Sequence, residues 1–441
     1  MTISMKDRLD GLPLSRWHWN VMLICSLGFL FDAMDNMMIS FALPALISTW
    51  KLTSQQAGII GSAGVVGMVI GSFVFGILAD YRGRRYVFQA TILVYSIFTG
   101  FCALSVNWIM LIIFRLIVGT GVGGLIPVDT AYLTEMTPPK YRGKFLSIFN
   151  GTWPIGAAIA GLLAYFLVPV FGWRILFLIG IFPGLMVFWI RRSLPESPRY
   201  LASKKRFEEA KKEIFKIEKR VLGKTSEADV VFDTNPELIS RSSFAELWTR
   251  RLLRSTIISM ILWWCLSFAY FGIFIWLPTI LIKMGVPVAR GYLLTIITLL
   301  CQIPGFIAAA YSVDVFGRKK SLVVSFIFFA GFTYLFFHAK TEGMALAALM
   351  PLAFFNEVAW CAVYAYTPEL FPTRARGTGG GWASTFGRTG SIIAPTLVGF
   401  LVDISRTTVM WVFVGVLILA AVTALGGIET KGKRLEDLWP E

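Results

Sequence analysis

The chain has 441 residues, of which 56% are hydrophobic and only 15% are charged, and its formal net charge at pH 7 is +15. Soluble domains carry about 25% charged residues, so this composition argues against a water-soluble protein. The basic residues lie between long apolar stretches, which indicates membrane topology rather than nucleic-acid binding. All five cysteines lie inside apolar stretches without a CxxC pair, so neither a disulfide framework nor a metal site is predicted.

The N-terminus is polar as far as Arg16, and the apolar stretch after it is too long for a signal peptide, so we interpret it as a membrane-spanning helix. About 20 apolar residues cross a bilayer as a helix. The predicted spans cover residues 21–48, 56–79, 86–105, 107–134, 145–170, 173–191, 255–282, 290–313, 320–338, 343–368, 378–402 and 407–427. The sequence therefore predicts an all-α membrane protein with twelve transmembrane helices.

The first span contains two aspartates, Asp32 and Asp35, which lie three residues apart and therefore on one face of a helix. With an entry near Val21 and a rise of about 1.5 Å per residue, they lie roughly 16–21 Å deep, near mid-membrane. Charged groups inside a membrane are costly and usually functional. Because burial and a like-charged neighbour both favour a neutral carboxyl group, each aspartate is a candidate for proton exchange.

Lysines and arginines crowd the connectors after spans two, four, eight and ten, and few lie at the opposite ends of the helices. Basic residues collect on the cytoplasmic side, so both chain termini are predicted to be cytoplasmic. Residues 201–222, in the long polar segment after span six, have the spacing of an amphipathic helix on the cytoplasmic face. The predicted organisation is an N-terminal six-helix half at 1–191, a linker at 192–254, a C-terminal six-helix half at 255–427 and a cytoplasmic tail at 428–441.

Three further polar residues lie at mid-membrane depth in spans ten and eleven: Asn356, Glu357 and Arg388. We expect them to converge with the aspartates of span one on one central cavity, where Arg388 would hold a carboxylate ligand through two hydrogen bonds. The alternative is that Arg388 neutralises one of those aspartates as a structural pair. The aromatic residues of span seven either line this cavity or face lipid. They are Trp263, Trp264, Tyr270 and Trp276.

Two motifs recur at one offset along the chain. Residues 80–85 (DYRGRR) return at 314–319 (DVFGRK), and 314 − 80 = 234. The pattern YxxExxPxxxRG begins at Tyr132 and again at Tyr366, and 366 − 132 = 234. The chain therefore consists of two parallel, pseudo-symmetric repeats of six spans, a recurring design in which the ligand site lies near mid-membrane.

The segment from Gly76 to Arg85 resembles the signature loop between helices two and three of the major facilitator superfamily, and the resemblance covers nearly the whole chain. It implies the major facilitator fold and a cytoplasmic gate that latches the outward-facing state. The gate residues implied in this way are Asp80, Gly83, Arg84, Arg85, Glu135, Arg142, Asp314, Gly317, Arg318, Glu369 and Arg376. In the superfamily an arginine placed like Arg115, four residues before a glycine, is tied to proton coupling. Asp129 shares this span, and structural pairing is an equal alternative for both residues.

Other segments point to a branch of the superfamily. Residues 195–201 (PESPRYL) and 429–432 (ETKG) resemble motifs of sugar porters, but span seven reads WCLS at 264–267 where sugar porters carry QLSG. The segment FDAMD, which contains Asp32 and Asp35, resembles the Asp-x-x-Asp motif of aromatic-acid:proton symporters and still more that of niacin-type transporters. Residues 367–374 and 387–390 are similar to the same group. The resemblance implies proton-coupled uptake of a small organic anion such as an aromatic carboxylate.

Two alternatives stay open at this point. One is a porter of sugars or of other neutral or cationic solutes, against which the missing QLSG run argues. The other is a non-transporting membrane sensor, against which the intact repeated motifs argue. The sequence contains no Walker-type phosphate loop and no catalytic triad, so an enzyme is not expected. We expect a small-molecule partner, no nucleic acid, no cofactor beyond a proton gradient, and a monomer in the lipid bilayer of a plasma membrane.

Overall fold

The computed structural model describes residues 2–223, 229–231 and 244–432. The helices are α1 (Met5–Asp10), α2 (Arg16–Trp50), α3 (Ser54–Arg82), α4 (Arg84–Ala103), α5 (Trp108–Met136), α6 (Pro139–Phe171), α7 (Arg174–Ile179), α8 (Met186–Ser193), α9 (Pro198–Ser203), α10 (Phe207–Leu222), α11 (Leu253–Lys283), α12 (Val288–Leu300), α13 (Gln302–Val315), α14 (Arg318–Phe337), α15 (Glu342–Glu369), α16 (Arg376–Leu401) and α17 (Arg406–Leu425). Strands β1 (Thr2–Ser4) and β2 (Asp229–Val231) pair in parallel, with Thr2 opposite Asp229. This short ladder adds to an otherwise helical fold.

Every predicted span is helical in the structure. Eleven helical stretches in the described residues are long and apolar enough to cross a membrane. The twelfth predicted span is α16, which has 26 residues but contains seven glycines and Arg388, so its composition is less apolar. The prediction of an all-α membrane protein is confirmed.

Two of the predicted spans are each built from two helices. Span six consists of α7 and α8 with a 3-10 turn between them that contains Pro183. Span eight consists of α12 and α13, which meet at Cys301. Pro304 explains this second break, because proline has no N–H to donate to the carbonyl of Leu300 four residues earlier.

The segment after span six forms the short helix α9 and the longer helix α10. The amphipathic helix predicted over 201–222 begins only at Phe207, because α9 ends at Ser203 and Lys205 between them adopts a positive φ of 59°. The buried residues of α10 recur at intervals of three and four, as an amphipathic helix requires. They are Ala210, Ile214, Ile217 and Glu218. Residues 224–228 and 232–243 of the linker and 433–441 of the predicted tail lie outside the described residues.

The helices group into two compact units. The N unit comprises residues 1–36, 63–159 and 173–237, and the C unit comprises residues 37–62, 160–172 and 238–441. This grouping differs from the halves read from the repeat, because one end of each of α2, α3 and α6 packs with the C-terminal helices. In the C unit, for example, Ser40 donates to the Phe274 carbonyl at 2.8 Å and Tyr292 donates to the Phe41 carbonyl at 2.8 Å. The boundaries of the two halves stay a prediction about the repeat.

Candidate functional site

An ion pair lies at the centre of the N unit, between α2 and α5. Arg115 Nη1 lies 2.9 Å from Asp35 Oδ2, and both side chains are about 3% exposed. Thr99 of α4 donates to the other oxygen of Asp35 at 2.7 Å. The absence of a side chain at Gly64 leaves room for the guanidinium, since a Cβ there would lie 3.2 Å from Arg115 Nη2. The charge of Asp35 is therefore compensated within its own unit.

Two more carboxyl groups share this interior, which we call the acidic cluster (Asp32, Asp35, Asp129 and Arg115). Asp32 is fully buried and accepts a hydrogen bond of 2.6 Å from the Asn36 amide. Asp129 of α5 is also fully buried, and neither of its oxygens has a hydrogen-bond partner in the described residues. The cluster thus contains three carboxyl groups and one guanidinium, so it carries two excess negative charges when every carboxyl group is ionised.

An aromatic cluster lies between α11 and α15 of the C unit, where Trp263 and Tyr270 are buried, Trp360 is half-buried and Tyr364 is 55% exposed. The Trp263 ring meets the Tyr364 ring edge-on with centroids 4.9 Å apart, and its centroid lies 5.8 Å from that of Trp360. Tyr270 meets Trp360 at 6.1 Å. Trp263 is fixed by a hydrogen bond of 2.9 Å from Nε1 to Thr367 Oγ1.

The other two aromatic residues singled out in span seven have different surroundings. Trp264 stacks on Phe268 with centroids 5.0 Å apart. Trp276 is fully buried and donates to the Pro395 carbonyl at 2.9 Å. Of the predicted aromatic set, only Trp263 and Tyr270 take part in the cluster. Trp264 and Trp276 serve packing.

Arg388 lies next to the aromatic cluster. Gly387, its neighbour on α16, packs directly against Trp263, where a Cβ would lie 2.9 Å from the tryptophan Cβ. The Tyr364 hydroxyl lies in the electrostatic field of both Arg388 and Glu357. Arg388 and Glu357 are half-buried. The C unit therefore combines a guanidinium, a carboxyl group and several aromatic faces.

Two buried amides belong to the same unit. Asn356 of α15 and Gln302 of α13 are fully buried, and neither amide has a hydrogen-bond partner in the described residues. Asn356 lies four residues before Trp360 and eight before Tyr364, so the three share one face of α15. Gln302, Trp360 and Tyr364 are not among the residues predicted from the sequence. Two signals could have found these residues: Gln302 is a lone glutamine inside an apolar span, and Asn356, Trp360 and Tyr364 follow one another at intervals of four.

The charged end of the N unit, where residues 80–85 join α3 to α4, forms a network around Glu196. One Glu196 oxygen accepts hydrogen bonds from the backbone N–H groups of Arg84 at 2.9 Å and Arg85 at 3.1 Å. Gly83 has a φ of 99°, and a Cβ there would collide with the Glu196 carboxylate. Arg84 also contacts Asp80 at 3.1 Å and Glu135 at 3.7 Å. Tyr132 donates to the Pro195 carbonyl at 2.7 Å.

The charged end of the C unit repeats this network around Glu429. Its carboxylate accepts from the Arg318 backbone N–H at 3.1 Å, and Gly317 has a φ of 92°. Arg318 contacts Asp314 at 3.3 Å and Glu369 at 3.0 Å. Tyr366 donates to the Ile428 carbonyl at 2.7 Å. The segments ESPR and ETKG are thus a third repeated motif, offset by 429 − 196 = 233. Sequence reasoning missed this equivalence because the offset differs by one from that of the other motifs.

Two predicted gate arginines lie outside these networks. Arg376 donates from Nε to the Pro368 carbonyl at 3.1 Å. Arg142 contacts Asp10 of α1 at 2.7 Å, and Arg199 contacts the same carboxylate at 3.0 Å. The structure therefore brings nine of the eleven predicted gate residues into the two networks, and it places Arg142 under the N-terminal helix.

Helix α1 is anchored to α10 by a buried ion pair. Arg8 donates to both carboxylate oxygens of Glu218, at 2.7 and 2.8 Å, and both side chains are at most 4% exposed. The Arg8 guanidinium also lies 5.4 Å from the centroid of the Phe215 ring. The buried face of the linker helix is thus fixed to α1 of the N unit.

The comparisons with known proteins agree with this architecture. The sequence profile of the family described as "Sugar (and other) transporter" matches residues 22–440. The niacin transporter NiaP of Acinetobacter baylyi is 36% identical over 439 residues, which cover 99% of this chain and 100% of that protein. The benzoate transport protein of the same organism is 27% identical over 413 residues, covering 91% of this chain and 87% of that protein. The inward-open structure of the xylose transporter XylE from E. coli superposes with a TM-score of 0.76 at 19% identity, covering 96% and 99% of the two chains.

Proposed function

Because this chain belongs to the sugar (and other) transporter family of the major facilitator superfamily, we propose that it is a secondary active transporter for a small organic acid, either an aromatic carboxylate or a niacin-like compound. The observation that carries the substrate class is the position of Arg388 beside the aromatic cluster. A guanidinium binds a carboxylate through two parallel hydrogen bonds. Aromatic side chains offer edges and faces to an aromatic ring. The similarity to a niacin transporter supports the same class.

The coupling ion in this proposal is the proton, and the acidic cluster of the N unit is where it binds. Buried ionisable groups in membrane proteins mark ion pathways and proton relays. Three carboxyl groups beside one guanidinium leave negative charge that a proton can neutralise. Transport then proceeds by alternating access, and the gate residues of the Glu196 and Glu429 networks belong to the cytoplasmic gate that latches the outward-facing state.

The proposal extends to the location and state of the protein. Both termini are cytoplasmic, because the basic connectors collect at one end of the helices and basic residues are retained inside. The protein works as a monomer in the plasma membrane and takes up its substrate with no cofactor other than the proton gradient.

The experiment is uptake of labelled nicotinate into liposomes that contain the purified protein, with and without an inward proton gradient. We expect accumulation only with the gradient. Arg388→Lys keeps the charge but loses the planar fork, so the KM for nicotinate should rise about tenfold. Arg290→Lys is the matched control, since Arg290 forms an exposed pair with Glu342. Absence of nicotinate uptake in both conditions would remove the organic-acid assignment.

One alternative has its own support. The matching family is described as sugar and other transporters, and the segment at 195–201 resembles a sugar-porter motif, so a sugar or another neutral or cationic solute is the second candidate substrate. Glucose uptake in the same liposomes separates the two. Glucose accumulation without nicotinate accumulation would favour the sugar porter. A protein that transports neither compound, nor any member of a panel of cations, sugars and aliphatic acids, would be assigned as a sensor.

A further inference from the structure

We propose that Ser54, Lys283 and Asp403 form a latch, here called the outer latch, that holds the outer end of the protein closed in this structure. The three residues lie at the start of α3, at the end of α11 and just beyond α16, and all belong to the C unit. This end of the helices is opposite the basic connectors, so it faces outward in the proposed topology. The inference rests on the proposed alternating access and not on the identity of the substrate.

Ser54 joins a helix of the first repeat to an ion pair of the second. Lys283 Nζ lies 2.5 Å from Asp403 Oδ1. The Ser54 hydroxyl accepts from Lys283 at 2.9 Å and donates to Asp403 at 2.8 Å. Helix α3 does not use this hydroxyl as its cap, because Thr53 accepts from the Gln56 N–H at 3.2 Å. The Ser54 side chain is therefore available to dock α3 on the ion pair.

Next to the outer latch, α3 crosses α16 with the two backbones in direct contact. A Cβ at Gly399 would lie 2.3 Å from the Ser54 carbonyl oxygen, and a Cβ at Gly58 would lie 2.5 Å from the Pro395 carbonyl oxygen. Small residues let helix backbones approach this closely. Because backbone and small side chains make these contacts, α3 can leave α16 once the outer latch breaks.

The ion pair is suited to a contact that opens and closes. The side chains of Lys283 and Asp403 are 37% and 56% exposed, so water can replace the Ser54 hydroxyl when α3 leaves. The two charges stay paired with each other on α11 and beyond α16 in both states. Exposed ion pairs contribute little stability, so breaking the outer latch is a small step rather than a large barrier.

The internal repeat has no charged counterpart of the outer latch. Its offset of 234 gives Thr49, Pro169 and Val288 as the equivalent positions, because 283 − 234 = 49, 403 − 234 = 169 and 54 + 234 = 288. None of these residues carries a charge, whereas the motifs at the basic end keep their charges in both repeats. No second ion pair at the equivalent positions would therefore hold the outer end closed after the outer latch breaks.

The test measures how often α3 leaves α16. In a background without the five native cysteines, Ser62→Cys places a thiol at the crossing, where the Ser62 hydroxyl donates to the Ile392 carbonyl at 2.6 Å. A maleimide that does not cross the membrane, added outside intact cells, should label this thiol only while the outer end is open. We expect Ser54→Ala to raise the labelling rate about three- to tenfold, the effect of losing hydrogen bonds of this kind. Asp403→Asn should raise it about two- to fivefold.

Two variants at the same end of the helices serve as controls. Thr49→Ala removes a hydroxyl that donates within its own helix, to the Ala45 carbonyl at 2.7 Å. Arg290→Gln breaks an exposed pair with Glu342, which joins two helices of the second repeat. Neither should change the labelling rate. The double variant Lys283→Asp with Asp403→Lys restores an ion pair and should be labelled as slowly as the background protein.

The outcomes separate the outer latch from general loosening and from the proposed function. An unchanged labelling rate in Ser54→Ala would overturn the inference, and so would an equal rise in Thr49→Ala or Arg290→Gln. Fast labelling of the double variant would show that the ion pair is not part of the latch. If Asp403→Asn does not fold, Ser54→Ala alone decides. Labelling needs no substrate, so the expected rates in a protein that transports no nicotinate would support the outer latch and remove only the substrate assignment.

Discussion

The two units are alike at their charged ends and different in their interiors. At the ends, Glu196 and Glu429 each accept backbone N–H groups at the start of a helix that follows a glycine with positive φ. Away from these ends, the described part of the N unit buries Asp32, Asp35 and Asp129 beside Arg115, whereas that of the C unit has the buried amides Asn356 and Gln302, the aromatic cluster and the half-buried Arg388. The repeat therefore keeps the parts that hold helix ends together. The two units differ in the residues that are proposed to bind the proton and the substrate.

The largest expected effect is on stability, and it comes from the N unit. Arg115→Ala leaves Asp35 buried without its counter-charge, which typically costs about 3–5 kcal/mol. The melting temperature in detergent should fall by more than about 5 °C. Arg388→Ala is the matched truncation in the C unit and should cost much less, because Arg388 is half-buried.

A double variant tests the same ion pair. Asp35→Asn with Arg115→Gln removes both charges of the pair and should recover part of the lost stability, since neither partner is left buried without its counter-charge. Equal melting temperatures for Arg115→Ala and the wild type would show that the pair does not stabilise the N unit.

The second effect concerns substrate affinity in the C unit. Trp360 contacts Trp263, Tyr270 and Tyr364. Loss of one aromatic contact is worth about 0.5–1.5 kcal/mol, so Trp360→Leu should raise the KM for nicotinate about two- to tenfold with a smaller effect on the maximal rate. Trp411→Leu, on the exposed face of α17, should leave KM unchanged. An unchanged KM in Trp360→Leu would remove the aromatic cluster from the substrate site.

The smallest expected effect tests the charged ends. Burial raises the pKa of Glu196 above its usual value of 4.5, although the backbone donors Ser197, Arg85 and Arg84 oppose the shift. A glutamate with a raised folded pKa binds its proton more tightly in the folded state, so the protein gains stability as the pH falls through that pKa. The melting temperature of the wild type relative to Glu196→Gln should therefore rise by about 1–3 °C on acidification toward pH 4.5.

The control for Glu196→Gln is Glu208→Gln. Because Glu208 lies on the exposed face of α10, the melting temperature of this variant should follow that of the wild type at every pH. A difference between the wild type and Glu196→Gln that stays constant with pH would show that Glu196 does not titrate differently in the folded protein.

Much of this protein follows from its sequence. Apolar length alone located the twelve helical stretches, eleven of which are apolar enough to cross a membrane in the described residues, because a helix satisfies its own backbone in lipid. The two motifs at an offset of 234 identified the repeat, because both are contiguous in the sequence. The resemblance drawn from Asp32 and Asp35 anticipated the niacin-transporter relative.

The contacts that each charged residue makes became known only from the tertiary structure. The sequence placed Asp35, Arg115 and Asp129 in the membrane but did not show that Arg115 binds Asp35, or that no donor among the described residues reaches Asp129. It also did not show that Arg142 binds Asp10, or that Glu196 and Glu429 are equivalent. These contacts join residues tens to hundreds of positions apart. They depend on the rotation and packing of whole helices, which local periodicity does not encode. The position of a residue along a helix gives its depth in the membrane. Which of several charged residues at one depth form a pair depends on how the helices pack against each other.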